Sequence, residues 1–211
     1  MLNGLLDTLI IECDKALKTL SMPSVEAGRD IPGSDLSENE MTKAEKAKSI
    51  ALMRVNHSGE VSAQALYQGQ ALTAKLPDVR RAMEQAAAEE TEHLVWCQQR
   101  INHYGGHVSI LNPLWYAGSF TLGAIAGKAG DKWSLGFVVE TERQVVNHLE
   151  EHLAKISEKD LKSRAVLEQM KEDELHHGTM ALEAGGAALP APIKLAMSLV
   201  SKIMTQSSYR I

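Results

Sequence analysis

Residues 89–100 read EETEHLVWCQQR and residues 170–177 read MKEDELHH, so Glu90/His93 and Glu174/His177 each form a Glu-x-x-His step. A lone glutamate precedes each step by nearly the same interval, Glu60 by 30 residues and Glu142 by 32. One pattern is written twice along the chain. On a helix, residues three apart share a face. A four-helix bundle that holds two iron or manganese ions needs one Glu from each of two helices and Glu-x-x-His from each of the other two. Glu60, Glu90, His93, Glu142, Glu174 and His177 supply those six ligands in order. Isolated Glu-x-x-His steps arise by chance in a glutamate-rich helical chain, so the shared register carries the inference.

Helical phase decides which acids point inward. Val79, Met83, Ala86, Glu90, His93, Cys97 and Ile101 share one stripe, which selects Glu90 over its neighbours Glu89 and Glu92. Val138, Glu142, Val145, Leu149 and Ile156 form another and leave Glu140 off the face. Leu167, Met170, Glu174, His177 and Ala181 align, favouring His177 over His176, and Met53, His57, Glu60, Gln64, Tyr67 and Ala71 keep the same period. Four unpaired buried carboxylates would cost more than a domain's net stability, so they must bind cations, take up protons or face a wet cavity. Two divalent ions cancel four negative charges. The mixed oxygen and nitrogen donors suit iron or manganese better than structural zinc.

Weaker signals surround this set. His148, His57 and Tyr67 are candidates to orient a ligand by hydrogen bonding; a surface or capping place for His148 and core packing for Tyr67 explain them equally well. Cys97 reads as a small core residue, and His152 and His176 as solvent-facing.

The 211 residues suit one domain, 1–211, with 44% apolar content to bury. Net charge is −5 with both signs interspersed, which speaks against a nucleic-acid partner. Cys13 and Cys97 form no framework or thiolate site, and Asp7 and Glu12 interrupt the apolar N-terminus, so a cytosol-facing protein without a secretory signal is expected. Scarce aromatics and abundant Ala, Leu, Glu and Gln predict an all-α fold.

Periodicity predicts an N-terminal amphipathic helix and a linker from Met22 to Glu40, together 1–41. A bundle over 42–185 has helices from Thr42 to about Lys75, Asp78 to Tyr104, Asp131 to Ser157 and Lys159 to Ala184. Thr42 and Glu45 make a capping box, Asp131 is a candidate N-cap, and paired glycines at 105–106 and 185–186 are stop signals. Residues 108–127, VSILNPLWYAGSFTLGAIAG, carry no charge. With Asn112 as N-cap and Pro113 first in the helix, 113–129 is short for a span and suits a buried or interface-lying helix. A second amphipathic face lies on a C-terminal helix, 190–207. Both faces fit peripheral membrane contact, packing on the bundle, or oligomerisation.

The stretches RVNHSGEVSAQALYQGQ (54–70), EETEHLVWCQQR (89–100), GFVVETERQVVNHLEEHL (136–153) and MKEDELHH (170–177) resemble the demethoxyubiquinone hydroxylases of ubiquinone biosynthesis. The resemblance covers Glu45 to the C-terminus. It implies a ferritin-like bundle with a di-iron centre of two Fe per chain, in which Glu60 and His93 bind one iron, Glu142 and His177 the other, and Glu90 and Glu174 bridge. It further implies hydroxylation of a 2-polyprenyl-3-methyl-6-methoxy-1,4-benzoquinol by O2, with NADH or the quinol itself as reductant. A polyprenyl tail matches peripheral attachment at the cytoplasmic face of the cell membrane, beside other ubiquinone-biosynthesis proteins. No Gly-x-Gly-x-x-Gly fingerprint marks a nicotinamide site. The rival expectations are ferroxidase or peroxidase chemistry at the same centre, and a non-catalytic quinone-binding assembly protein.

Overall fold

The computed structural model describes residues 2–21 and 28–211, and the part of the expected linker at 22–27 lies outside the described residues. Among the described residues seven helices form in chain order: α1 (Leu2–Ser21), α2 (Lys43–Thr73), α3 (Pro77–His103), α4 (Asn112–Ala129), α5 (Asp131–Lys155), α6 (Leu161–Glu183) and α7 (Ala191–Ser208). No strand occurs among the described residues, so the chain is an all-α helical bundle.

Local chemistry sets the boundaries. The Thr42 hydroxyl accepts from Glu45 N while the Glu45 carboxylate accepts from Thr42 N, the reciprocal capping box that opens α2. α3 and α6 end where Gly105 and Gly185 adopt positive φ of 72° and 97°, and the following Gly106 and Gly186 N–H groups bond back to Ile101 and Ala181 carbonyls. Asp131 takes a different place from the N-cap expected of it. Gly130 occupies that position, and the Asp131 carboxylate instead accepts from Lys75 N and Leu76 N, tying the α2–α3 turn to the start of α5. Likewise α4 begins at Asn112 with Leu111 as its cap, because the Asn112 side chain turns inward to accept from Ser58 Oγ at 2.8 Å.

α2, α3, α5 and α6 build the bundle around two apolar clusters. Leu52, Met53, Trp96, Cys97, Ile101, Leu149, Leu167 and Met170 fill one end. Ala63, Tyr67, Ala71, Met83, Leu135, Val138 and Ala181 fill the other. Each of the four helices contributes to both, and on each the Glu or Glu-x-x-His falls between its two contributions. A polar layer is therefore clamped at mid-height between apolar plugs, which exclude water and fix helix spacing.

α2 is buried nearly all round, because α1, α4 and α7 cover the sides that the bundle leaves open. Its contact with α4 is backbone to backbone. A Cβ on Gly123 would stand 2.1 Å from Leu66 O, and one on Gly69 2.2 Å from Phe120 O. Small residues are required at that crossing.

Candidate metal centre

Each of the six residues singled out by spacing is buried: Glu60, Glu90, His93, Glu142, Glu174 and His177. One donor atom from each of Glu60, Glu90, His93 and Glu174 lies within 4.8 Å of the others. Both imidazoles turn Nδ1 toward the acids. His93 Nδ1 is 3.5 Å from Glu60 Oε2, 3.2 Å from Glu90 Oε2 and 3.2 Å from Glu174 Oε1. His177 Nδ1 is 3.1 Å from Glu174 Oε2 and 3.5 Å from Glu90 Oε1. Glu90 and Glu174 thus divide their two oxygens between the two histidines. Glu142 stands at the edge of the cluster, where Tyr67 Oη donates to its Oε1.

The outward nitrogens are held as well. His93 Nε2 donates to Asp173 Oδ2 at 3.0 Å, and His177 Nε2 to Glu89 Oε2 at 2.7 Å. These bonds fix the tautomer that leaves Nδ1 lone pairs facing the acids when a metal is bound. The supports are exchanged: α6 holds the histidine of α3, and α3 holds the histidine of α6. Spacing did not single out Asp173 or Glu89, although each immediately precedes a ligand-pattern glutamate, so the repeat is acid-Glu-x-x-His in both copies.

Without metal, charge is balanced by protons. Burial, aided by Glu90, raises Glu60 well above the usual carboxylate range, and burial with Glu174 does the same to Glu142. Burial also opposes a charged Glu90, yet hydrogen bonds from His177 and His93 outweigh it and hold Glu90 low. Burial disfavours charged imidazoles, but the surrounding acids push His93 well up and His177 up to about 12.

The clustered donors fit a divalent metal ion. Four carboxylates and two imidazoles match iron or manganese in charge and hardness. Glu142 Oε2 is buried without a hydrogen-bond partner, a cost that coordination would remove.

The flanking candidates behave differently. Tyr67 reaches across to Glu142 on α5. His57 faces away from the acids and pairs with Asn112 at 3.3 Å. His148 packs against His152 with the rings tilted by 58° and their centroids 3.9 Å apart, and it lines a cavity that Glu60 also lines. His152, expected at the surface, is buried instead, because Asn56 Oδ1 offers its Nδ1 a partner at 2.9 Å across the α2–α5 contact. His176 is exposed, and Cys97 is a core residue against Met170. Glu140 is buried off the cluster with Arg143, Gln144 and Lys194 as partners.

A cavity of about 290 Å³ opens between α2, α4, α5 and α7, and Glu60 is among its lining residues. Its walls include Val55, Ala63, Leu66, Leu122, Phe137, Val145, Met197, Val200 and Met204, with Thr141, Gln144 and His148 as polar points. The mainly apolar cavity thus has one member of the acid cluster in its wall.

Comparison with known proteins follows this geometry. Residues 47–208 match the family described as ubiquinone biosynthesis protein COQ7. The chain is 58% identical over 204 residues to the 3-demethoxyubiquinol 3-hydroxylase of Nitrosococcus oceani, covering 97% of this chain and 95% of that protein. It is 58% identical over 209 residues to that of Nitrosomonas europaea, covering 99% of each. To that of Chromobacterium violaceum it is 56% identical over 207 residues, covering 98% of this chain and all of the other.

Proposed function

We propose, since the chain belongs to the COQ7 family of ubiquinone biosynthesis proteins, that it hydroxylates the ring of 2-polyprenyl-3-methyl-6-methoxy-1,4-benzoquinol with O2. The observation that carries the reading is the mainly apolar cavity with Glu60 in its wall, because it would bring a lipid-soluble ring beside a buried Glu/His cluster. The relatives' name, 3-demethoxyubiquinol 3-hydroxylase, supplies the substrate class.

Glu60, Glu90, His93, Glu142, Glu174 and His177 would hold two iron ions; the division of the Glu90 and Glu174 oxygens between the two histidines supports a shared centre. Bound there, iron supplies reduction of O2. One oxygen atom enters a ring C–H bond and the other leaves as water, which consumes two electrons and two protons; NADH or the quinol is the donor. Tyr67 steadies Glu142, while Asp173 and Glu89 aim the imidazoles. The apolar walls strip water from the ring, and Thr141, Gln144 and His148 are placed to meet its oxygens.

The membrane supplies such a substrate. No helix among the described residues is long and apolar enough to cross a bilayer. Instead α4 turns Leu114 and Ile125 outward, and α7 turns Leu195, Leu199 and Ile203 outward, each more than half exposed. The same two helices contribute walls to the cavity, an arrangement that suits peripheral attachment at the cytoplasmic face. The cavity then opens where the isoprenoid tail resides.

The test is metal content and product on one preparation. Anaerobically reduced protein given demethoxyubiquinol and then ¹⁸O2 yields singly labelled hydroxyquinol with two irons per chain, and Glu142→Ala loses at least a hundredfold of the turnover. Unlabelled product, or iron accumulating as mineral, removes the reading. A Glu142→Ala protein that still restores ubiquinone to a deficient strain makes the protein a quinone-binding factor.

A further inference from the structure

The two histidine supports are alike in sequence but unequal in structure. Glu89, the support of His177, is 40% exposed, and beyond His177 its partner is Gln85 Nε2 at 2.9 Å. Asp173, the support of His93, is 17% exposed and bound by three further donors: Arg29 Nη2 at 2.8 Å, Arg29 Nη1 at 3.3 Å and Gln169 Nε2 at 3.0 Å. Arg29 is itself fixed. Its Nε and backbone N both donate to Glu92, and its guanidinium lies 4.9 Å over the Trp96 ring, whose centroid is 5.4 Å from that of His93.

Arg29 comes from the segment before α2, outside the bundle. That segment runs across α3 and α6 and is pinned again where Glu38 binds Arg100 Nη1 at 2.7 Å. A planar fork on Asp173 restricts the carboxylate in both position and rotation. The restriction passes to His93 through the Nε2 bond.

Resting on the metal-centre reading above, we propose that Arg29 is a positioning residue that makes the two metal positions unequal. The position served by His93 is preorganised and fills first. The position served by His177, whose support is solvent-exposed and held by an amide, fills second and exchanges faster. Preorganised ligands bind more tightly because less ordering remains to be done when the ion arrives.

Anaerobic Co(II) titration of the full-length protein, followed by calorimetry and visible ligand-field absorption, tests this. The wild-type chain takes up two Co(II) in distinguishable steps. Arg29→Gln weakens the first step about tenfold, toward the second, and shifts its absorption, as loss of an outer-shell partner does. Adding Asp173→Asn to Arg29→Gln then brings less further loss than Asp173→Asn alone causes. Glu38→Gln loosens the same segment at its other anchor and leaves the first step within twofold of wild type. Two failures overturn the inference while leaving the metal centre intact: Arg29→Gln with both steps and both spectra unchanged, or Glu38→Gln with the same loss as Arg29→Gln. A wild-type chain that binds fewer than two Co(II) instead removes the metal-centre reading.

Discussion

Tyr67 and the buried histidines carry predictions that belong to single side chains. Tyr67→Phe removes the donor to Glu142 and nothing from the apolar plug around it, so the fold should persist while turnover falls about tenfold, in the range of outer-shell losses. Turnover within twofold of wild type, at unchanged iron content, would show that the bond has no functional part. His57 is held neutral down to about 4 by burial, and His152 down to about 2 by burial and then by His148 and Lys155. Both values lie below the unfolded histidine's, about 6.5. The stability they contribute is therefore complete above pH 6.5 and is lost as pH falls, since the unfolded chain takes the proton first. Between pH 6.5 and 4, each contributes a slope of about 1.4 kcal/mol per pH unit. His57→Gln should flatten urea-unfolding stability against pH by that amount, and an unchanged slope would contradict the assignment. The six ligand-pattern residues were legible because spacing and helical phase fix direction. The direction of His57 and His152 was not, because polar partners on other helices, Asn112 and Asn56, decided their burial.

At the scale of elements, the four bundle helices were read from the chain to within two or three residues, since caps and glycine stops are local chemistry. Less legible was why α2 lacks a clear apolar stripe. A helix covered on every side has no face to leave polar, and only the packing of α4 and α7 shows that. The α2–α4 crossing makes a testable pair. Gly123→Ala would set a methyl against the Leu66 carbonyl, and no side chain can rotate to relieve it, so α4 must move at a cost of about 1–3 kcal/mol. Gly118→Ala, on the same helix, meets nothing within 4 Å and should gain about 0.5–1 kcal/mol of helix propensity. Thermal unfolding of the two variants should move in opposite directions; equal shifts would show that the close crossing does not bear on stability. Because α4 also walls the cavity, Gly123→Ala should raise KM more than it lowers kcat.

For the whole molecule, the exposed apolar faces of α4 and α7 and the cavity between them predict lipid dependence. The triple variant Leu195→Ser, Leu199→Ser, Ile203→Ser should lose flotation with phospholipid vesicles and most activity on a long-tailed quinol, while a short-tailed, water-soluble analogue is still turned over. Equal losses on both substrates would point to a folding defect, and undiminished flotation would move the docking face elsewhere. The exchanged supports have a consequence for assembly. Each helix pair, α2–α3 or α5–α6, owns three of the six donors, yet the clasp that aims its histidine belongs to the opposite pair. A half-built chain thus presents its imidazole in no preferred tautomer and its acids without a counter-charge. On the proposed metal-centre reading, iron would have no competent seat until the two halves have docked, so metal uptake would report completed folding and a half-built chain would be spared oxidative chemistry.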